Sequence, residues 1–544
     1  MKLTQQDIGG EIISIITKGM YSDPKDALRE YIQNGIDAKA EKIDIKIRPD
    51  RIVIRDNGDG MDKVKMRKSI RVGMSDKNPG KNIGFMGIGL YSSFHLCDKL
   101  IIISKIDAEI PNKLEFDFKS MRDILQSQKN KRIEEDSEDQ IALLSLLEKH
   151  IFFSELSNED LPSKGTRVEM INLGSNFFQS LTKIDEVSEY LESVIPLPFD
   201  PEFSYGKIIE DKIQEFCIAH KSFYKLIDLN LDVNGIERQL FRPYKDADFK
   251  KLGPLYPFFK EMNDPEDGFL GITWGCLNKD TAVIKNEKVR GFLIKKNGFT
   301  IGNRSDVLPR FNSAKFFNRY VGEFIVLHPK LLPNGPRSDF EFSPLRTKLY
   351  ASIESIATGF YNKEANIYQE EERAEKDLDD AINYYKEIRS NLEFFEKNGD
   401  KLLEFHRKLT MICEDFQKKV DTSWKIRDSR KEDANDIIIK IKSLIQEIQD
   451  LISQKKKKKT KKSSKSIITD LVSAPDVSQT TKSEPIPDDL VQLIELIGLN
   501  INNELKVILN LLDEKYIQSK AKNEEDYIHT LLQLRKDIEE LFEE

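Results

Sequence analysis

The chain has 544 residues, and its 85 Lys+Arg against 93 Asp+Glu give a net charge of −8. At about 150 residues per domain this length predicts three to four domains, and the acidic balance argues against a uniformly basic nucleic-acid coat protein. No window reaches 18 apolar residues and no basic segment leads into an apolar run near Met1, so neither a membrane-spanning helix nor a signal peptide is expected; Cys97, Cys217, Cys276 and Cys413 are widely spaced, which fits a reducing, cytoplasmic setting.

Residues 4–19 and 24–39 read as helices, the second opened by Ser22, Asp23 and Pro24. Residues 42–48 and 51–56 alternate apolar and polar and read as strands, as do 98–106 and 165–173. Between these last two, 120–160 is charged and partly helical and reads as an insertion. A further helix is expected at 180–194 and another at 88–96. Pro196-Leu197-Pro198 marks a boundary. A second mixed region at 200–345 has strand-like runs at 291–302 and 320–328, and Asn297-Gly298 is the turn of a hairpin. After 346 the pattern is helical. Ile437, Ile441, Leu444, Ile448 and Leu451 step at heptad spacing, which suits either pairing of two chains or an intramolecular helical hairpin. Eight lysines between Lys455 and Lys465 open a Ser/Thr/Pro-rich stretch to 488, read as a linker. A last helical segment spans 489–544.

Four motifs carry chemistry. On a helix, Glu30, Asn34 and Asp37 share one face. A carboxylate one turn from an amide suits a water-activating base beside a Mg²⁺ ligand, and equally an ordinary polar helix face. Asp56-Asn57-Gly58-Asp59-Gly60-Met61 follows a strand. It is a turn in either case, but a carboxylate at a strand end can accept a hydrogen bond from an adenine amino group. Its glycines admit the base, and Met61 offers an apolar wall. Gly84-Phe85-Met86-Gly87-Ile88-Gly89 leads into the expected helix, whose free N–H groups would hold phosphate. The preceding Arg71–Lys81 segment, rich in Gly, Ser and Lys, suits a mobile lid. Thr166 follows Lys164-Gly165 at a strand start.

Taken in this order, the motifs resemble the Bergerat nucleotide-binding fold of the GHKL superfamily (gyrase, Hsp90, histidine kinase, MutL), and within it the Hsp90 branch. The resemblance covers about residues 1–195. It implies an α+β chain: a Bergerat α/β sandwich ATPase domain at 1–195, a transducer-like α/β domain at 200–345 and a helical, coiled-coil region at 346–454. By that resemblance ATP and Mg²⁺ are the cofactors. Glu30 polarises water, Asn34 ligates Mg²⁺, and Asp56 with Thr166 reads adenine. Gly58, Gly60 and Met61 line the base pocket. Asp37, Gly84, Phe85, Gly87, Ile88 and Gly89 complete the ATP site. The interval from Gly73 to Gly84 is shorter than a typical Hsp90 lid.

Leu331–Asp339 (LLPNGPRSD) is similar to the Hsp90 middle-domain loop whose arginine reaches the terminal phosphate, which makes Arg337 a candidate catalytic cation; Val326–Lys330 is loosely similar to the MutL-type loop, which makes Lys330 its rival. The resemblance implies an ATP-driven, dimeric clamp or chaperone-like machine with a protein client, in bacterial stress or anti-phage defence. Two other readings stand beside it. One is a MORC- or MutL-like nucleic-acid clamp helped by Lys455–Lys465. The other is a non-hydrolysing, ATP-sensing adaptor whose helical tail recruits a partner.

Overall fold

The computed structural model describes residues 4, 7–107, 109–135, 140–156, 164–174, 179–249, 253–279, 282–395, 399–421 and 426–466. Helix α1 (Glu11–Met20) precedes α2 (Lys25–Asp37), which starts just after Pro24, with Asp23 Oδ1 accepting the Lys25 N–H at 2.8 Å. The two alternating segments form strands β1 (Lys42–Ile47) and β2 (Arg51–Asp56), whose isoleucines all point to one buried face. Helix α3 (Lys63–Ser69) then leads through a loop to β3 (Cys97–Lys105), β4 (Asn112–Asp117), α4 (Phe118–Glu134), α5 (Leu143–His150), β5 (Ile151–Glu155) and β6 (Gly165–Leu173). Helices α6 (Ile184–Val194) and α7 (Gly206–Ala219) precede β7 (Asp228–Val233) and β8 (Ile236–Leu240).

These eight strands make one sheet, in the order β5-β4-β3-β6-β2-β1-β7-β8. Its core face (Ile43, Ile45, Ile52, Ile54, Leu100, Ile102, Phe116, Met170) packs against α2 through Leu28, Ile32 and Ile36, and against α6 through Val187 and Leu191. The chain is therefore a helix-on-sheet layer here, with α2 as its buried spine. A second sheet contains β9 (Phe258–Asp264), β10 (Gly268–Leu277), β11 (Gly291–Lys296), β12 (Phe299–Ile301) and β13 (Tyr320–Val326), in the order β12-β11-β13-β10-β9. Strands β11 and β13 are buried at every position, because separate apolar clusters cover the two faces of this sheet. Glu323 of β13 bonds the guanidinium of Arg242, two residues beyond β8, at 3.1 Å, and Lys295 at 3.0 Å. These cations hold the buried Glu323 carboxyl down to about 2, and the pairing ties the end of one sheet to the middle of the other.

The C-terminal helices are α8 (Pro344–Ile356), α9 (Asn362–Phe395), α10 (Gly399–Asp421) and α11 (Lys431–Ser466). Two compact units divide at Ile452/Ser453. Ile437, Ile441, Leu444 and Ile448 are buried in one cluster with Leu378, Ile388, Leu409 and Phe416 of the same chain. The heptad seam is thus an intramolecular one.

Several expectations are extended or corrected. The stretch 120–160 is partly helical, as expected, and beyond that expectation it adds β5, which pairs with β4 as the sheet's edge strand. Helix α1 begins at Glu11 rather than residue 4, after the Gly9-Gly10 pair, where Gly9 bridges Ala142. No α-helix forms over 88–96; a short 3₁₀ turn at Gly89–Tyr91 stands there instead. Tyr31 Oη donates to Leu90 O at 3.0 Å and shares a hydrogen bond with Ser93 Oγ at 2.7 Å, so tertiary partners replace the helical ladder. The sheet also crosses the expected boundary at 195–200, because β7 lies parallel to β1. The lysine run is helical as far as Ser466, and the rest of the expected linker and the 489–544 segment fall outside the described residues.

Candidate nucleotide site

The last two turns of α2, the end of β2, the loop before β3, the start of β6 and the 333–337 loop surround a cavity of about 710 Å³. That volume suits a nucleotide-sized ligand. Glu30, Asn34, Asp37, Asp56, Gly60, Met61, Gly84, Phe85, Gly87, Ile88, Gly89, Thr166 and Arg337 all line it. Gly58 and Lys330 are not among the lining residues. Gly58 stands behind, donating its N–H to Asp56 Oδ1 at 2.9 Å. Lys330 is exposed.

At the closed end, Asp56 faces Thr166 across the β2–β6 ladder. Thr166 Oγ1 shares a hydrogen bond with Ser104 Oγ at 2.9 Å, and Ser104 Oγ also accepts the Met61 N–H at 2.8 Å. Gly60 has φ +69°, and a Cβ there would sit 2.0 Å from Lys105 O, so only glycine fits this turn. Burial pushes the Asp56 carboxyl up to about 6, against the hydrogen bonds that favour its anion. The result is a half-buried acceptor on the cavity wall, suited to an amino-group donor.

At the other end, Glu30 Oε1 lies 3.7 Å from Arg29 Nη2 and 3.9 Å from Arg337 Nε. Arg337 reaches it from a tight loop. Its own φ is +59°, its N–H donates to Asn334 O at 3.0 Å, and Asn334 N–H donates to Asp339 O at 2.8 Å. Asp339 is held in turn by Arg346 and Tyr350 of α8. The Arg337 guanidinium also donates to Gln33 Oε1 and, at 3.2 Å, to Ile83 O. Its Nη1 is buried without a hydrogen-bond partner, and burial lowers its proton affinity below the ordinary arginine value. A buried guanidinium with a spare donor on the cavity wall is a ready anion contact.

The Gly84–Gly89 segment closes one side. Asp37 accepts the Ile83 N–H at 2.8 Å and the Gly84 N–H at 2.9 Å. A Cβ on Gly89 would approach Glu30 Oε2 to 3.0 Å, and one on Gly87 would strike the Met74 backbone. Gly73 N–H donates to Gly87 O at 3.1 Å. The 73–77 segment therefore lies directly over the glycine loop. From it Lys77 Nζ donates to Asn34 Oδ1 at 2.9 Å and to Asp37 Oδ2 at 2.8 Å.

Four participants escaped the reading of the motifs: Gln33, Lys77, Ser104 and Phe299, whose ring lies under the Arg337 guanidinium at 5.7 Å. Gln33 carried a signal, one helical turn from Glu30, and Lys77 carried one only as part of the Lys-rich 71–81 segment.

Residues 21–150 match the family described as "Histidine kinase-, DNA gyrase B-, and HSP90-like ATPase". This part of the chain is thus similar to the nucleotide-binding domains of GHKL-type ATPases. Among solved structures the chain is similar to one titled "Crystal Structure of N terminal domain of a DNA repair protein". The two are 14% identical with a TM-score of 0.37, and the match covers 65% of this chain and 98% of that one. No curated protein matches the chain. Among the described residues no helix is long and apolar enough to cross a membrane.

Proposed function

We propose that the chain is a Mg²⁺-dependent ATPase of Hsp90-like type, in which ATP orders the 71–81 lid and engages the 333–337 loop, driving a clamp- or chaperone-like machine. One observation carries this reading. A buried carboxylate, Glu30, and a guanidinium from far along the chain, Arg337, meet on the wall of the same cavity that Asp56 closes at its other end. Asp56 would accept the adenine amino group, and the Gly84–Gly89 backbone would face the phosphates. Glu30 would take a proton from the attacking water, and Arg337 would meet the charge that builds on the terminal phosphate.

The residues fit a divalent cation, because Asn34 Oδ1 already faces a cationic nitrogen, that of Lys77. Asn34 would hold Mg²⁺ together with the phosphates, and the ion would neutralise phosphate charge and orient the terminal group. Arg337 rather than Lys330 is the cation of choice, since only Arg337 lines the cavity.

Steady-state turnover tests that choice. Arg337→Ala is expected to lower kcat by about 10³-fold with ATP binding retained, and Lys330→Ala to stay near the wild type. The reverse pattern would overturn the assignment. Nucleotide affinity is also expected to follow Asp56 ionisation, falling by about tenfold per pH unit below about pH 6. The sign follows from the ligand, which needs the carboxylate as acceptor. In the chain without ligand the opposite holds: the raised value means that ionising Asp56 costs folding stability, and the cost grows as pH rises from 3.8 to about 6. A flat affinity profile from pH 5 to 8 would remove Asp56 from the adenine contact.

A further inference from the structure

Lys77 of the lid lines the cavity and carries a charge to the residues of α2, and its partners are specific. Its ammonium is hydrogen-bonded to Asn34 Oδ1 at 2.9 Å and paired with Asp37 Oδ2 at 2.8 Å. The Asp37 side chain is almost wholly buried, and its two oxygens also take the Ile83 and Gly84 N–H groups. A Cβ on Gly84 would lie 3.5 Å from Lys77 Nζ. The ammonium therefore sits between the amide oxygen of α2 and the glycine loop, the place where a phosphate-bound cation would be expected.

We infer that Lys77 is a tethered counter-cation that competes with Mg²⁺ for the Asn34 oxygen, and so sets how far nucleotide binding depends on the metal. This rests on the ATPase reading above. The geometry behind it is simple. An amide oxygen oriented into a hydrogen bond with an ammonium cannot also give that lone pair to a metal. Two cations sharing one oxygen also repel strongly in a partly desolvated site. A nucleotide entering without metal finds a positive charge already in place from Lys77. A nucleotide entering with Mg²⁺ displaces Lys77 from Asn34. The segment that carries Lys77 rests on the glycine loop a few residues upstream, through Gly73 and Met74 against Gly87, so loss of the Asn34 bond removes one of the contacts that hold the lid there. Metal binding and lid position are thereby coupled through one side chain.

The test is binding, read without turnover. The dissociation constant of a fluorescent ATP analogue is measured on the full chain in EDTA and in saturating Mg²⁺, for the wild type and for Lys77→Met, Lys77→Arg and Lys81→Met. Lys77→Met removes the internal cation but not the metal site. Its ratio of affinities with and without Mg²⁺ is expected to rise about tenfold over the wild-type ratio, chiefly through weaker binding in EDTA. Lys77→Arg is expected to keep the wild-type ratio, and so is Lys81→Met, whose lysine is exposed and does not line the cavity. An unchanged ratio in Lys77→Met, or an equal change in Lys81→Met, overturns the inference while leaving the ATP site intact. Absence of analogue binding by the wild type in Mg²⁺ overturns the ATPase reading, and this inference with it.

Discussion

Glu30→Gln is expected to abolish ATP turnover while ATP binding stays within a few-fold of the wild type. General-base catalysis is worth about 10²–10⁴-fold, and Glu30 is the carboxylate on the cavity wall placed between two guanidiniums, Arg29 and Arg337. Glutamine keeps the shape and the hydrogen-bonding edge of the side chain but cannot accept a proton at neutral pH. Alanine would also stop turnover. It would further leave Arg29 and Arg337 facing one another without the carboxylate, a loss with its own cost in stability. The pair of variants therefore separates chemistry from packing: both lose turnover, and only alanine should lower the melting temperature appreciably. Single-turnover hydrolysis beside equilibrium binding makes the measurement. Turnover near the wild-type rate in Glu30→Gln would remove Glu30 from the base role.

The second large effect is expected at the opposite end of the cavity. Asp56→Asn should weaken ATP binding by at least about 100-fold, because a buried site built around one acceptor is left with a donor facing a donor. The local fold should survive, since an asparagine oxygen can still accept the Gly58 N–H that Asp56 takes at 2.9 Å. Calorimetric titration with ATP checks the binding, and thermal unfolding without nucleotide checks the fold. Retention of wild-type affinity would show that the base is read elsewhere. Together the two variants split the cavity into a half that binds and a half that reacts.

Much of this site was legible along the chain because its parts are local. Glu30, Asn34 and Asp37 share a helix face by arithmetic alone. The Asp56–Met61 turn is announced by its Asn-Gly and Asp-Gly pairs, and strands β1, β2, β3 and β6 by alternation. Residues that share a helical turn or a tight turn meet whatever the rest of the chain does. The glycine loop was legible as a loop, but the helix expected after it was not formed. There the outcome hung on Tyr31 and Ser93, which are brought together from different parts of the fold.

Distance along the chain decided the rest. Pairing of β7 with β1 joins residues nearly 190 apart, and no periodicity in either segment names its partner. The heptad of α11 shows an apolar stripe but not who covers it; packing within the chain answered that with α9 and α10. Arg337 and Lys330 look alike as basic residues in a Pro/Gly-rich loop, and only the anchoring of that loop by Asp339, Arg346 and Tyr350 aims one of them into the cavity. Lys77 was marked only as part of the Lys-rich 71–81 segment, and nothing in that segment named Asn34 and Asp37 as its partners. Composition and pattern thus dictate which groups are available and which short segments hold them. Which cation faces which carboxylate is set by long-range packing, because burial and charge pairing are properties of neighbours in space.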